Sequence, residues 1–522
     1  METLAEREVS VEVVQEKDMR GSMTSAAVFA LLAGIPLFMT NKYFNITLSK
    51  FIYFAIVSVL CFVLYYTLKP EGELKKPHPE NKAMDIAVFG FLISSAVSVI
   101  FSSYKADALL GSSGRGLGFL FVLILTGLYY ALSRSYKIRN LELWGYSVAF
   151  VIVTAIAFIQ FFGINFGGLY TSLSKTTADA FYSTIGNINV VSSYICLCLP
   201  FLMYLFCAVS GWLKMAGLYV LNFVGFCFII IANSDSGYIG IVAAFCAVAY
   251  IVVRKQERFY RVMFLAGAFL FSPRLMLTVS RTVSGTKSLS SLAVFLGESD
   301  LVFVLAIVCT VLAVVFVFLR PGKRFPTFLR VTVIVFVLFS VICLTGAIIY
   351  FTVFNPECEL GFLENYLRFN DKWATSRGEI WRFTMESYSE LPIIQKLFGC
   401  GPDTLSLLLR ERYEAQMSAS GEFIDNAHNE FMNYLVNHGI VGLGFYLSMI
   451  IAALKKCYAK TRVNIIHGGL FAAVVSYAFQ SVVNITQPLT TPFYFIIMFM
   501  CCCDYEGRAK SENKGSEELK KL

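Results

Sequence analysis

The chain has 522 residues, 57% of them hydrophobic and 15% charged, with a formal net charge of +8, and its mean hydropathy is +0.67. Soluble globular domains carry about a quarter charged residues, so this composition excludes a soluble fold. The apolar runs are continuous and not alternating, which excludes a membrane β-barrel and leaves a bundle of helices as the structure that satisfies its own backbone in hydrocarbon.

The first 22 residues, "METLAEREVSVEVVQEKDMRGS", mix charges of both signs and read as a cytoplasmic arm. No small-residue cleavage site follows the first span, so that span reads as an anchor. Eleven apolar runs follow at 23–40, 47–68, 85–102, 116–133, 145–163, 189–209, 216–232, 237–253, 262–279, 299–319 and 331–353. Three more lie at 432–454, 464–484 and 491–503, before a charged tail over 504–522. The expected fold is therefore all-α, a polytopic transmembrane bundle of about 14 spans, with roughly 12 to 14 compatible with the run lengths. The run 262–279 is interrupted by "FSPRLM", with Pro273 and Arg274, where a broken helix lining a cavity fits as well as a clean span.

The 43 Lys and Arg test the orientation. With the N-terminus cytoplasmic, their excess falls in inner loops such as "KPEGELKKPHPENK", "RKQERFYR" and "RPGKRF", as the positive-inside bias requires. The net charge thus reports membrane orientation, and no basic and aromatic interleaving outside the membrane argues for nucleic acid. The chain divides into the arm 1–22, a transmembrane region 23–353 with eleven helices, a loop 354–430, three more helices over 431–503, and the tail. The loop 354–430 faces outside by the same bias.

Within that loop, "GEIWRFTMESYSEL" sets Ile380 and Phe383 on one stripe and Trp381, Met385 and Tyr388 on another, so it predicts an amphipathic helix on the membrane surface or capping the bundle. "FGCGPDT" reads as the glycine turn ending it, and "SLLLRERYEAQM" as a further helix. Most of the 14 Cys fall inside spans; Cys358 and Cys400 share the loop, and their spacing leaves a disulfide between them open. No internal repeat of the transporter kind is apparent by eye.

The loop ends in "FIDNAHNEFMNYLVNHGIVG", with two of the four histidines. Asp425 stands where a helix N-cap is expected and Gly439 where a C′ residue is. His428 then falls in the first turn, where the helix dipole keeps imidazole neutral, the state a general base requires. A histidine that merely hydrogen-bonds at the interface is the alternative, and it is the reading preferred for His438. His78 lies in a cytoplasmic loop and His467 near the inner end of a span, so neither joins an outer site. Seven arginines run against the orientation bias on the outer side, among them Arg115, after the flexible "LLGSSG", and Arg377. Guanidinium forks bind phosphate through two parallel hydrogen bonds. Asn187 and Asn189 open the sixth span in "TIGNIN". No P-loop, HExxH, GxSxG, metal-spaced Cys/His set or outer Asp-x-Asp occurs, so no metal and no cofactor is expected.

In their order and sidedness, "SSGRG", "TIGNIN", "ANSDSGYIG", "SRGEIW", "LFGCG" and "DNAHNEFMNYLVNHGIVG" resemble the O-antigen ligase and O-antigen polymerase superfamily defined by the Wzy C-terminal domain, over about residues 85–490. The resemblance implies a metal-independent glycosyltransferase of the bacterial cytoplasmic membrane, multi-pass, with an extracytoplasmic active site. Its expected partners are a lipid-linked glycan donor, undecaprenyl pyrophosphate-linked, a glycan acceptor and membrane lipid, with other polysaccharide-assembly membrane proteins as candidates and no nucleic acid. It implies His428 as the catalytic residue and Arg115 and Arg377 as substrate-binding residues; Asn429, beside that histidine, and Asn187 are further substrate-binding candidates. Two positions depart from the family pattern: Ser234-Asp235 stands where Ser-Arg is common, and Asn437 where an acid is common. Polymerisation and ligation both fit. The rival is a lipid-linked oligosaccharide flippase, which requires charges along a central cavity open to both sides; the spans here hold few charges. A sensor with an external binding loop is a further rival, and it lacks a cytoplasmic signalling domain.

Overall fold

The computed structural model describes residues 19–68, 81–112, 115–171, 173–253, 258–319, 335, 339, 342–420 and 424–506. Eleven apolar helices come first: α1 (Met19–Leu37), α2 (Ile46–Thr67), α3 (Lys82–Phe101), α4 (Phe119–Ser135), α5 (Asn140–Phe161), α6 (Ile188–Ala208), α7 (Trp212–Ile231), α8 (Ser236–Val252), α9 (Phe259–Thr282), α10 (Asp300–Leu319) and α11 (Ile342–Phe354). Outside the apolar runs, α12 (Trp373–Ser389), α13 (Ile393–Phe398) and α14 (Leu405–Ser420) follow, and then α15 (Glu430–Lys460), α16 (Ile465–Gln480) and α17 (Thr490–Cys502). Among the described residues ten helices are long and apolar enough to cross a membrane, and α4, α8, α11 and α17 are shorter apolar ones. Each expected span coincides with one of these, although part of the run 331–353 and His78 lie outside the described residues. The protein is a polytopic all-α bundle.

Two local differences from the sequence reading have physical causes. Helix α1 already starts by Met19, inside the expected arm, because Arg20 Nε donates to Leu68 O at 2.9 Å and so ties the start of α1 to the end of α2. Helix α9 is continuous through Pro273 and is not broken. Arg274 avoids an unpaired charge by donating Nη2 to Asp300 Oδ1 at 2.7 Å.

The chain alternates between two ends of the bundle. At one end Tyr43 OH donates to Ser183 O, Thr184 Oγ1 to Pro36 O, Asn233 Nδ2 to Ser288 O, and Tyr366 OH to Asp235 Oδ2. At the other, Arg261 Nη1 donates to Val209 O, Lys460 Nζ to Cys502 O, and Ile138 N to Asp504 O. Helix α6 is the axis, with 94% of its apolar window buried, whereas only 11% of the α10 window is. Gly468 and Gly469 let α16 meet α6 closely: a Cβ would lie 2.1 Å from the Tyr204 ring and 2.4 Å from the Phe201 ring. Several polar side chains in this seam bond one another, as burial demands. Asn484 Nδ2 donates to Asn189 O and Ser193 Oγ, both at 2.8 Å, and Gln480 Nε2 to Ser236 Oγ at 3.0 Å.

The segment between α11 and α15 folds on the same end as Tyr43 and Asn187. The amphipathic helix is present as α12, with Ile380 and Phe383 buried in a small core shared with Leu405, Leu409 and Val436. The "FGCG" turn ends α13 and not α12, because Pro392 intervenes and starts a second short helix. Cys358 and Cys400 are both free thiols. Cys400 Sγ instead lies 3.2 Å from Thr404 Oγ1.

Candidate functional site

A cavity of about 600 Å³ opens at this end, between the start of α2, the turn before α4, the start of α6, the segment before α15 and the segment before α17. Arg115, Asn187, Asp425 and His428 line it together, with Lys50 and Asn189.

Arg115 is held by a glycine turn. Gly116 has φ +70°, and a Cβ there would lie 2.8 Å from the Phe51 ring, so the turn presses on α2 and aims Arg115 inward. The Arg115 side chain is 8% exposed and its Nη2 lies 2.5 Å from Asp425 Oδ2. Its Nη1 is buried with no hydrogen-bond partner among the described residues.

His428 does not occupy the first turn of a helix, contrary to the sequence expectation. Helix α15 begins at Glu430 and its N-cap is Asn429, whose Oδ1 accepts from Phe431 N at 3.0 Å and Met432 N at 3.1 Å. Asparagine caps as well as aspartate does, and the Asp425 carboxylate is engaged by Arg115. His428 therefore sits before the helix, at φ +48°, a left-handed conformation that costs a non-glycine residue about 1–3 kcal/mol. An Asx turn offsets this, since His428 N donates to Asn426 Oδ1 at 3.1 Å. The Nδ1 of His428 is buried without a partner among the described residues. Burial, then the Arg377 guanidinium, lowers the imidazole pKa to about 4; Asp425 opposes this and Arg115 adds to it. This shift favours the neutral ring at pH 7 through desolvation and two cations, not through a helix dipole.

Arg377 lies in α12 and does not line the cavity, yet its charge reaches His428. Three consecutive left-handed residues precede it, Ala374, Thr375 and Ser376, at φ +49°, +65° and +64°. They reverse the chain so that Arg377 Nη1 donates to Ala374 O at 2.7 Å. Burial lowers the Arg377 pKa and Asp235 opposes the shift. Asp235, one of the two departures, accepts from Tyr366 OH at 2.7 Å. Asn437, the other, accepts from Thr404 N and Leu405 N at 3.2 and 2.9 Å and so caps the start of α14.

Asn187 caps α6, its Oδ1 accepting from Asn189 N at 2.9 Å, and it ends a two-strand hairpin of Phe181–Tyr182 with Gly186–Asn187. Asn429 is 8% exposed and is not among the residues lining the cavity. Sequence reading passed over Lys50, a cation inside an apolar run, which is itself a signal of a cavity or a buried partner. Its Nζ donates to Ile35 O, Pro36 O and Phe38 O at 2.8, 3.1 and 3.1 Å, ending α1 at the cavity wall. His438 is buried with Nδ1 2.9 Å from Ser95 Oγ, and His467 bonds Cys503 O at the opposite end. No group of three His, Cys, Asp or Glu suited to a metal ion occurs among the described residues.

No curated protein matches the chain. Residues 285–447, which run from the end of α9 through the segment carrying Arg377 and His428, match the family model described as O-antigen ligase. Over that stretch the chain is similar to the O-antigen ligase family.

Proposed function

We propose that this chain is a membrane glycosyltransferase that polymerises or ligates undecaprenyl-diphosphate-linked glycan on the outer face of the bacterial cytoplasmic membrane. The single observation that carries the reading is the shared cavity, in which His428 and Arg115 face one space with Asn187, while the charge of Arg377 reaches His428. The basic loops at the opposite end favour a cavity open to the outside and a cytoplasmic arm and tail.

A diphosphate is already an activated leaving group, so the residues need to bind its charge and remove one proton. The oxygen of the acceptor hydroxyl bonds to the anomeric carbon while the bond from that carbon to the diphosphate oxygen breaks. The electron pair leaves on the diphosphate, held by Arg115 through its Nη1, with Arg377 adding positive charge from outside the cavity lining. The hydroxyl proton passes to His428, because a sugar hydroxyl is far too weak an acid to ionise beforehand. Asn187 orients substrate at the cavity wall. Asn429 fixes the start of α15 and with it the position of His428.

Purified protein supplied with lipid-diphosphate glycan in detergent tests the proposal. Higher glycans or glycan joined to an acceptor are expected with no membrane barrier present. Intact donor after prolonged incubation with acceptor overturns it.

A further inference from the structure

Three aromatic rings of the segment between α11 and α15 gather beside Arg377. Trp373 and Trp381 have ring centres 5.2 Å apart, and Phe369 lies 5.4 Å from Trp373 and 6.3 Å from Trp381. None of the three joins either of the two buried cores, and Phe369 is 43% exposed. Trp373 Nε1 donates to Tyr366 O at 3.1 Å, while Trp381 Nε1 is buried with no partner among the described residues. Exposed charges of both signs border the rings: Asp371, Lys372 and Arg382, with Arg382 Nη2 2.9 Å from Asp371 Oδ2. Such surroundings suit water and not hydrocarbon. The two other tryptophans of the chain, Trp144 and Trp212, are 69% and 75% exposed and stand near the starts of α5 and α7, at the opposite end, where tryptophan anchors a helix at the lipid interface.

Position links the cluster to the cavity. Arg377 and Trp381 are four residues apart on α12, so they share a helix face with one turn, about 5.4 Å, between them. We infer that Phe369, Trp373 and Trp381 form a platform for the glycan of the substrate, the sugar ring next to the reacting one stacking on it. A pyranose presents C–H groups on one face and hydroxyls round its edge. The C–H face meets the negative face of an indole favourably, and the exposed Asp371–Arg382 pair offers partners to the edge. This inference rests on the glycosyl-transfer reading and names where the sugar lies.

Tryptophan fluorescence tests it directly. In the Trp144→Phe/Trp212→Phe protein the emission comes from Trp373 and Trp381 alone. The probe is the oligosaccharide released by mild acid from the host's own lipid-diphosphate glycan, and the control is vesicles of phosphatidylethanolamine and phosphatidylglycerol without glycan. Saturable quenching by the oligosaccharide is expected, with little change on adding vesicles. Trp381→Ala is expected to raise the KM for glycan at least tenfold with kcat lowered less than threefold, and Trp381→Phe to restore most of it. Phe369→Ala, at an exposed ring, is expected to act in the same direction without loss of folded protein. A response to vesicles alone, or an unchanged KM in both Trp381→Ala and Phe369→Ala, overturns the platform. If His428→Ala is inactive while those KM values are unchanged, only the platform fails. If oligosaccharide quenches but the wild-type protein leaves lipid-diphosphate glycan intact in the presence of acceptor, the transfer reading fails instead.

Discussion

Arg115 and Asp425 form an ion pair at 2.5 Å that leaves the second terminal nitrogen of the guanidinium buried and without a partner among the described residues. An anion entering the cavity therefore meets a cation whose charge is partly neutralised already. Asp425→Asn removes the competing carboxylate and keeps the side-chain shape. The KM for lipid-diphosphate donor is expected to fall about fivefold, the factor carried by roughly 1 kcal/mol. A KM that rises together with a fall in kcat counts against competition and assigns Asp425 a purely architectural part.

The pH profile carries a sign that can be worked out. The free enzyme holds His428 at about 4, so the ring is neutral and able to accept a proton at all higher pH, and kcat/KM is expected to fall only as pH drops through about 4. Bound diphosphate adds negative charge beside the two arginines, which favours imidazolium, so the acid limb of kcat belongs at higher pH than that of kcat/KM. Measuring both limbs from pH 3.5 to 8 decides the matter. Coincident limbs speak against diphosphate beside His428.

His428→Ala removes the proposed base at a position outside the helices. Turnover is expected to fall by about 10²- to 10⁴-fold, with membrane insertion and thermal stability close to wild type because the cap at Asn429 and the Asx turn at Asn426 remain. Turnover within threefold of wild type contradicts the assignment of the base.

What the sequence reveals follows from which forces leave a periodic trace. Span positions are legible because crossing hydrocarbon demands uninterrupted apolar length. The place of each helix in the bundle is not. Helices α6 and α10 are both apolar all round, yet one is the axis and the other lines the periphery, because lipid and protein interior select the same residues. The His428 region is legible by residue type and only partly by geometry. Asp425 and Asn429 are equally good caps in a sequence, and the choice between them is made by Arg115, 310 residues away from Asp425 in the chain. Nothing local signals that Arg377 lies beside His428, since three left-handed non-glycine residues set its approach.

Arg115→Lys tests the fork. An ammonium retains the charge and can still pair with Asp425, but it cannot offer two coplanar N–H groups to a phosphate. A loss of about tenfold or more in kcat/KM is expected with folded protein unchanged. Wild-type kcat/KM in this variant removes Arg115 from diphosphate binding.

Gly439 was legible as a helix ender, and the structure gives it a more specific part. Its φ of +70° and ψ of 179° kink α15, which then resumes to Lys460 because the following run is apolar. A kink there interrupts the hydrogen bonds that Val436 O and Asn437 O would otherwise accept from the next turn. Those carbonyls instead accept from Cys400 N at 2.9 Å and Gly401 N at 3.2 Å. The "FGCG" turn is thereby clamped to the helix that follows His428, which helps to hold the segment carrying Arg377 in place. A Cβ at Gly439 would lie 2.3 Å from the Leu397 backbone, and one at Gly399 would lie 2.2 Å from Asn437 O. Neither neighbour is a side chain able to swing aside. Gly439→Ala is thus expected to cost about 3 kcal/mol or more, by the combined penalties of left-handed strain and overpacking. The readout is the melting temperature of the purified protein in detergent, compared with Gly444→Ala in the same helix, where a Cβ meets nothing within 4 Å. A Gly439→Ala protein as stable as the Gly444→Ala control shows that the clamp does not hold the segment in place.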